Sequence, residues 1–258
     1  MPVAGIDVGN LTTKAVIVED GEVLGRSIVV SADTAEEGAR RALEEALRES
    51  GFGLEAIRNM VITGAGRKLT TFVVKQKTPV SCLAKGANLL FPSARTVFDV
   101  GAETSTVIRF TGRGSVEDSV GHDRCASGTG VFLTGVAKIL NMSLPEMARA
   151  SLGVQRRAEI STMCAVFAES EVISHVHRVP PTPVGEIIAG VYGSMAVRLT
   201  GLAKRTGIKP DVVLCGGAAK NAGFAAELEK EVKLPLLIPE EPQFVAALGA
   251  ARIAEDER

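Results

Sequence analysis

Cys125 and Cys164 are the two residues of this 258-residue chain whose types and positions most directly suggest chemistry. Cys125 lies in HDRCASGTGVFL (122–133), where a glycine-rich turn leads into a predicted apolar helix. Cys164 lies at or within one turn of the start of another predicted helix. Backbone N–H groups at a helix N-terminus carry partial positive charge, so they favour a thiolate, a phosphate or a negatively charged metal cluster. The segment around Cys125 therefore combines a thiol with a phosphate-type loop.

Two such cysteines in one chain leave several kinds of site open. Iron–sulfur clusters and structural zinc sites take four ligands, so two chains related by a twofold axis would supply four thiolates to one shared site. A rival is zinc bound by the cysteines with His122, His175 or His177, but the spacing matches no zinc motif and the last two cannot share a helix face. Another alternative is that both cysteines are simply buried. Cys82 and Cys215 stand in apolar segments, which favours burial for both.

A second set of residues is typical of phosphate and Mg²⁺ binding. The apolar stretch VAGIDVG (3–9) predicts a strand that ends in Asp7 and Gly9. There the glycine lets backbone amides approach phosphate oxygens, while the carboxylate holds Mg²⁺, usually through water. The hydroxyls and the ammonium group that follow can bind the β- and γ-phosphates. The predicted nucleotide-binding residues of this segment are Gly9, Asn10, Leu11, Thr12, Thr13 and Lys14.

The first strand and its turn occur a second time in the chain. TVFDVGAETSTVIRF (96–110) aligns without a gap on AGIDVGNLTTKAVIV (4–18), so that Asp99 falls on Asp7. A repeat of this length indicates an internal duplication. With the later LCGGA, the elements occur in the order expected of the superfamily of actin, sugar kinases and heat-shock chaperone ATPases. We therefore predict an α/β protein with a duplicated actin-like (ribonuclease H-like) ATPase fold, whose two halves face each other around a nucleotide cleft.

This prediction assigns boundaries and roles along the chain. Residues 1–94, completed by a C-terminal helix within 241–258, form the first half, and residues 95–240 form the second half with the two cysteines. The predicted catalytic groups are Asp7, Asp99 and Glu103. The predicted nucleotide-binding residues of the second half are Gly101, Ala102, Thr104, Gly128, Thr129, Gly130, Gly216, Gly217, Ala218 and Asn221.

The local pattern predicts the order βββαβ for the start of the chain. Asp20-Gly21 reads as a hairpin turn, Asp33 or Thr34 as the cap of the helix, and NMVITGAG as a buried strand that runs into a glycine turn. Residues 67–90 are predicted to be mostly helical. Glu169 and Glu171 follow Cys164 on its helix and face the nucleotide cleft or the solvent; the solvated interpretation is preferred for Glu171.

The composition limits the classes of function. A hydrophobic content of 46% and a formal net charge of -1 describe an ordinary globular protein and argue against nucleic acid as the main partner. No window approaches the roughly 18 uninterrupted apolar residues of a membrane span, and the N-terminus has no secretion-signal pattern. We expect a cytoplasmic protein whose four cysteines serve metal binding, catalysis or burial rather than structural disulfides.

The chain resembles the activator ATPases of 2-hydroxyacyl-CoA dehydratases and the related ATP-binding subunits of benzoyl-CoA reductase. The segments that carry the resemblance are GIDVGNLTTK, FDVGAETS, HDRCASGTGVFL, STMCAVFAESEVISHV and LCGGAAKN. It implies a homodimer, or a pair with a related subunit, that holds one [4Fe-4S] cluster through Cys125 and Cys164 of each chain. It also implies one Mg²⁺-ATP per subunit, hydrolysed to ADP. Hydrolysis would drive one electron, from a donor such as ferredoxin or flavodoxin, onto a dehydratase or reductase that acts on an acyl-CoA.

Two segments depart from the family pattern. Where the activators usually read Asp-x-Gly-Gly-Gln-Asp, this chain has Asp99-Val-Gly101-Ala102-Glu103-Thr104, so a glutamate replaces the glutamine thought to position the attacking water. Either Glu103 takes over that role or ATP is hydrolysed slowly. HRVPPTP (177–183) replaces the usual Ser-x-Gly after the second cysteine helix. The alternatives are a benzoyl-CoA reductase-type subunit, a small-molecule kinase of the same fold and a non-catalytic nucleotide-binding regulator.

Overall fold

The computed structural model describes residues 1–73, 75–122, 129–161 and 164–257. Cys125 and Gly128, two of the predicted site residues, lie outside the described residues, as does the side chain of His122. The chain divides into two compact units, which we call unit 1 and unit 2. Unit 1 comprises Met1–Val97, Phe110–Glu117 and Gln243–Arg258, and unit 2 comprises Phe98–Arg109 and Asp118–Pro242.

The first sheet has five strands in the order β3-β2-β1-β4-β5. The strands are β1 (Val3–Val8), β2 (Thr12–Glu19), β3 (Glu22–Val30), β4 (Asn59–Thr63) and β5 (Lys75–Gln76). β1, β2 and β3 are antiparallel neighbours, whereas β4 runs parallel to β1 and β5 runs parallel to β4. The predicted hairpin turn is confirmed, since Asp20 and Gly21 both have positive φ, at 51° and 83°.

The second sheet repeats this order with the second set of strands. It runs β8-β7-β6-β9-β10 when written in the same direction as the first. The strands are β6 (Thr96–Val100), β7 (Ser105–Phe110), β8 (Val116–His122), β9 (Val212–Cys215) and β10 (Leu236–Leu237). Each strand of the second sheet therefore has a counterpart at the same place in the first, as an internal duplication requires.

Eight α-helices complete the described part of the chain. They are α1 (Ala35–Ser50), α2 (Pro79–Leu90), α3 (Gly130–Ile139), α4 (Leu144–Ser151), α5 (Ala165–His177), α6 (Val184–Ala203), α7 (Ala222–Val232) and α8 (Val245–Asp256). The side chain of Thr34 caps α1 by accepting a hydrogen bond from the Glu37 N–H. None of the helices in this part of the chain combines the length and apolarity that a membrane span requires.

The prediction of a mostly helical stretch over residues 67–90 is wrong in its first half. A short 3₁₀ helix, Ala65–Leu69, is followed by β5, and only α2 is an α-helix. The helix starts late because Pro79 fits only the first turn of a helix and disfavours helical geometry at Thr78 before it. Thr78 accordingly adopts an extended conformation and caps α2 by accepting a hydrogen bond from the Ser81 N–H.

The C-terminal helix α8 belongs to unit 1, where it packs directly on α2. A Cβ atom on Gly86 of α2 would lie 2.0 Å from the Val245 carbonyl oxygen, and one on Gly249 would lie 1.7 Å from that of Cys82. The two backbones thus touch at glycines on both helices, and Cys82 is fully buried beneath the crossing.

Candidate functional site

In unit 1, the turn after β1 is closed by its own backbone and carries an ion pair. The Gly9 N–H donates to the Thr12 carbonyl oxygen at 3.2 Å. The Lys14 ammonium group lies 3.4 Å from Asp7 Oδ2 and also donates to the Thr12 carbonyl at 3.2 Å. The Ser31 hydroxyl, which directly follows β3, donates to the Gly9 carbonyl at 3.2 Å. This first Asp-x-Gly turn is therefore hydrogen-bonded to residues of its own sheet and paired with the ammonium group of Lys14.

In unit 2, the turn after β6 repeats this backbone geometry with different side chains. The Gly101 N–H donates to the Thr104 carbonyl at 2.9 Å, which is the counterpart of the Gly9 bond. Uncharged Thr106 stands where unit 1 has Lys14. The Cys215 thiol instead donates to Asp99 Oδ1 at 3.6 Å. The two turns therefore share a backbone but place their aspartates beside different groups.

The glycine turn that follows β9 has a counterpart in unit 1, the turn that follows β4. Sequence analysis missed this correspondence. Gly64 after β4 and Gly216 after β9 have φ of 95° and 85°, with ψ of 177° in both. A Cβ atom on Gly64 would lie 2.6 Å from Asp7 Oδ1, and one on Gly216 would lie 2.8 Å from Asp99 Oδ1. Each turn thus requires glycine for its conformation and for its close approach to the aspartate. The signal was present, since MVITGAGRKL aligns on VVLCGGAAKN without a gap.

The start of α3 is bonded to the second Asp-x-Gly turn. The Gly130 N–H donates to the Gly101 carbonyl and the Val131 N–H donates to the Ala102 carbonyl, both at 2.9 Å. Thr129, which precedes the helix, is fully buried. These two N–H groups at the helix start therefore have backbone partners. They connect α3 to the turn that carries exposed Glu103.

The remaining predicted residues of unit 2 differ in their surroundings. Gly217 is exposed, whereas Ala218 is buried. Asn221 is also buried, and its Oδ1 accepts a hydrogen bond from the Phe224 N–H at 3.0 Å, which caps α7. Its Nδ2 donates to the Tyr192 hydroxyl at 2.8 Å and to the Leu144 carbonyl at 3.3 Å. The amide of Asn221 is therefore engaged in the fold, where it caps α7.

The cysteines fall into two groups. Cys82 and Cys215 are fully buried, as predicted, and burial raises the pKa of the Cys82 thiol to about 11. Cys164 is half-buried and lies at the N-terminal cap of α5. Next to it, Val166 and Phe167 are 67% and 61% exposed. The Cys164 thiol therefore lies at a helix start near the protein surface, beside exposed apolar side chains.

The polar residues of α5 have structural partners. The Ser161 N–H donates to Glu171 Oε2, so this half-buried side chain, which the sequence predicts to lie on a solvated face, also has a backbone partner. His175 is buried, with Nδ1 3.0 Å from Thr182 Oγ1 and Nε2 3.2 Å from the Glu159 carbonyl oxygen. Both ring nitrogens are engaged, which argues against His175 as a zinc ligand. The described residues include no cluster of three or more His, Cys, Asp or Glu side chains placed to hold a metal ion.

Comparisons with known proteins relate nearly the whole chain to one family. Residues 4–254 match the BadF/BadG/BcrA/BcrD ATPase family. The chain is 41% identical to the activator of lactoyl-CoA dehydratase of Anaerotignum propionicum over 250 residues, which are 97% of this chain and 96% of that protein. It is 32% identical to one of the subunits of the benzoyl-CoA reductase of Thauera aromatica over 259 residues, with 96% and 91% covered.

Solved structures agree with this relation. The activator of the 2-hydroxyisocaproyl-CoA dehydratase from Clostridium difficile with bound ADPNP superposes with a TM-score of 0.92 at 36% identity, covering 100% of this chain and 95% of that one. A ROK family glucokinase from Streptomyces griseus, at 14% identity and a TM-score of 0.61, shares the fold alone over 99% of this chain and 100% of its own. The predicted duplicated actin-like α/β fold is confirmed, and the chain belongs to the BadF/BadG/BcrA/BcrD ATPase family.

Proposed function

We propose that this protein hydrolyses ATP to drive single electrons onto a partner enzyme that dehydrates a 2-hydroxyacyl-CoA. The observation that carries the proposal is the pair of hydrogen bonds that join the second Asp-x-Gly turn to Gly130 and Val131. Cys125 precedes Gly130 by five residues, so a turn that responds to nucleotide is linked along the chain to a thiol. The 41% identity to the activator of lactoyl-CoA dehydratase supports the choice of partner class.

ATP with Mg²⁺ is the proposed ligand of the two Asp-x-Gly turns. Unit 1 contributes Asp7 for Mg²⁺ and the segment from Gly9 to Lys14 for the phosphates. Unit 2 contributes Asp99, the backbone of its turn and the glycines after β9. The half-buried positions of Asp7 and Lys14, whose side chains are 13% and 12% exposed, favour strong contacts with a charged ligand because water screens them poorly.

Glu103 is the residue that we assign to orienting the attacking water. It is exposed at the tip of the second turn, two residues before β7. A carboxylate in this place accepts a hydrogen bond from water and withdraws its proton as the oxygen attacks the γ-phosphate. Because Glu103 lies beside Ala102, whose carbonyl is bonded to α3, hydrolysis would be sensed where that helix begins.

Cys125 and Cys164 are the proposed ligands of an iron–sulfur cluster shared by two chains. The donor set fits, because two thiols in each chain make four in a dimer, and Cys164 lies at the start of a 13-residue helix whose dipole favours negative charge. The exposed Val166 and Phe167 beside it are suited to burial against a second chain. When bound, a [4Fe-4S] cluster would supply one-electron redox chemistry. Such thiolates persist in a reducing compartment, and we propose the cytoplasm, with a ferredoxin or flavodoxin as electron donor.

Membership of a benzoyl-CoA reductase-type complex is the second candidate function, and the 32% identity to the Thauera aromatica protein favours it. Both candidates use the same ATPase and differ in the enzyme that accepts the electron. A small-molecule kinase shares the fold but leaves Cys164 at its helix start without a role.

The test is electron transfer measured with purified components under anaerobic conditions. The reduced protein is mixed with a 2-hydroxyacyl-CoA dehydratase, with and without Mg²⁺-ATP, and reduction of the dehydratase is followed by its spectrum. We expect transfer only with ATP, and loss of transfer in Cys164→Ser while ATP binding is retained. ATP-independent transfer, or full transfer by Cys164→Ser, would refute the proposal. Transfer only to a benzoyl-CoA reductase would select the second candidate.

A further inference from the structure

The segment before Cys164, residues 157–161, is attached firmly to the rest of unit 2. The Ala158 N–H donates to the Glu186 carbonyl at 2.9 Å. A Cβ atom on Gly190 of α6 would lie 2.3 Å from the Ala158 carbonyl oxygen, so the segment packs directly on that helix. The Arg157 guanidinium lies 3.1 Å from the buried carboxylate of Glu227 on α7. These contacts fix the segment against α6 and α7.

Helix α5 bonds back to the same segment with two side chains. Glu171 accepts the Ser161 N–H, and His175 Nε2 lies 3.2 Å from the Glu159 carbonyl oxygen. The two side chains are four residues apart, so they share one face of the helix. Because a carbonyl oxygen only accepts, Nε2 carries a proton and donates it to the Glu159 carbonyl, while Nδ1 is within hydrogen-bond distance of the Thr182 hydroxyl. His175 is 7% exposed.

These two bonds join the segment that precedes Cys164 to the helix that follows it. The cysteine follows Ser161 by three residues and occupies the N-cap position of the helix that carries Glu171 and His175. We call the bonds from Glu171 and His175 to the backbone of residues 159–161 the clasp. Without the clasp, α5 could shift along its axis or rotate relative to the segment that leads into the cysteine, and the thiol would shift with it.

We propose that Glu171 and His175 are positioning residues that hold Cys164 where it can act as a cluster ligand. The inference rests on the proposed function for the identity of the ligand, but the clasp itself is a property of this chain alone. Both side chains act on the thiol through the backbone, by fixing the helix that follows it to the segment that precedes it. The clasp therefore governs the placement of Cys164 and its exposure, and is not needed for nucleotide binding.

The first experiment uses the full-length, metal-free protein. Hydrogen exchange of the Ser161 amide and the rate of Cys164 alkylation by a maleimide are followed by mass spectrometry of their peptides. We expect Glu171→Ala to raise exchange at Ser161 by about tenfold or more, because a hydrogen bond to a charged acceptor is lost. The alkylation rate of Cys164 should rise at least about threefold, since even partial opening exposes the thiol. Glu171→Gln, which keeps an acceptor oxygen but loses the charge, should raise both rates less than Glu171→Ala does.

The chain offers matched controls for both sides of the clasp. Glu159 takes part in the clasp only through its backbone carbonyl, so Glu159→Gln should leave the clasp intact. His177→Gln changes an exposed histidine on α5. Glu171→Ala is expected to fold, because Glu171 borders an open depression of 950 Å³ and its removal leaves no closed void. His175→Ala tests the second bond, with its melting temperature recorded because the residue is buried.

The second experiment separates the clasp from the cluster proposal. Each variant is reconstituted with iron and sulfide, and iron release to a chelator is timed beside ATP hydrolysis. Release at least about fivefold faster in Glu171→Ala, with hydrolysis within about twofold, supports the inference. If the wild type takes up no iron, the cluster proposal fails while exchange and alkylation still decide the clasp. The inference about the clasp would be overturned if both alanine variants showed the same exchange and alkylation rates as the wild type. It would also be overturned if they released iron as slowly as the wild type.

Discussion

The two Asp-x-Gly turns have the same backbone hydrogen bond but contact different parts of the protein. In unit 1 the turn is bonded to its own sheet through Ser31, and Asp7 is paired with Lys14. In unit 2 the turn is bonded to α3. The duplicated turns keep the same backbone hydrogen bond, and their side chains and the neighbouring helix make them different. We infer that the first turn mainly binds the nucleotide, while the second also passes its state to the helix that follows Cys125.

The largest expected difference between the turns concerns their aspartates. Asp7→Ala should weaken Mg²⁺-ATP binding about tenfold or more and leave bound iron in place. Asp99→Ala should lower the hydrolysis rate about a hundredfold or more with a smaller effect on binding, because it changes the turn that carries Glu103. Titration calorimetry and phosphate release measure the two quantities. Asp118→Ala, at an exposed position, is the control; equal effects of both aspartate variants on both quantities would remove the distinction between the turns.

Gly64 and Gly216 should be equally intolerant of substitution. An alanine Cβ would lie 2.3 Å from the Val8 carbonyl oxygen at position 64 and 2.4 Å from the Val100 carbonyl oxygen at position 216. Both residues also have positive φ. We expect each variant to lose about 3 kcal/mol of unfolding free energy. Gly153→Ala has a similar φ of 78° with no atom within 4 Å, so it should lose only about 1 kcal/mol. Urea denaturation gives the values, and a Gly216→Ala protein as stable as Gly153→Ala would contradict the close approach.

Alkaline pH should weaken both units, through different groups. Burial raises the pKa of the Cys82 thiol in unit 1 to about 11 and that of Tyr192 in unit 2 to about 12. A raised folded-state pKa contributes stability that is complete below the unfolded pKa and is lost as pH rises through the folded value. Between pH 8.5 and 10.5 the wild type should therefore lose about 2 kcal/mol more unfolding free energy than Cys82→Ala. Parallel pH dependence of the two proteins would show that Cys82 does not contribute.

The smallest expected effect comes from the cation that only one turn has. Lys14→Met should weaken ATP binding about tenfold, since it removes one charge-assisted contact with the phosphates. Thr106→Val, at the matching position of unit 2, should change binding less than about twofold because no charge is lost. Calorimetric titration of both variants measures their ATP affinity. Similar losses of affinity in the two would contradict a special role for Lys14.

The parts of the fold that follow from a repeated local pattern could be predicted from the sequence. The ungapped match of residues 96–110 on 4–18 predicts the second copy of the strand–turn–strand unit, and the structure has the same sheet order twice. The match between the glycine turns after β4 and β9 was equally visible but shorter. The pattern failed at residues 67–90, where the α-helix begins only at Pro79.

The parts that depend on contacts between distant segments could not be predicted. Glu171 reads as a surface residue by its position on a helix, and only the path of residues 157–161 gives it a partner. Asn221 follows a glycine turn, as a nucleotide ligand would, yet Tyr192 and Leu144 engage its amide. Such roles depend on which elements meet in three dimensions, which no local spacing encodes.

The most direct test of the proposed function is the iron and sulfide content of the anaerobically purified protein, measured together with its mass in solution. The account predicts a dimer with about four iron and four sulfide per two chains, and loss of both in Cys125→Ala or Cys164→Ala. A monomer that takes up no iron after reconstitution would contradict it, because the two cysteines would then have no shared ligand to hold.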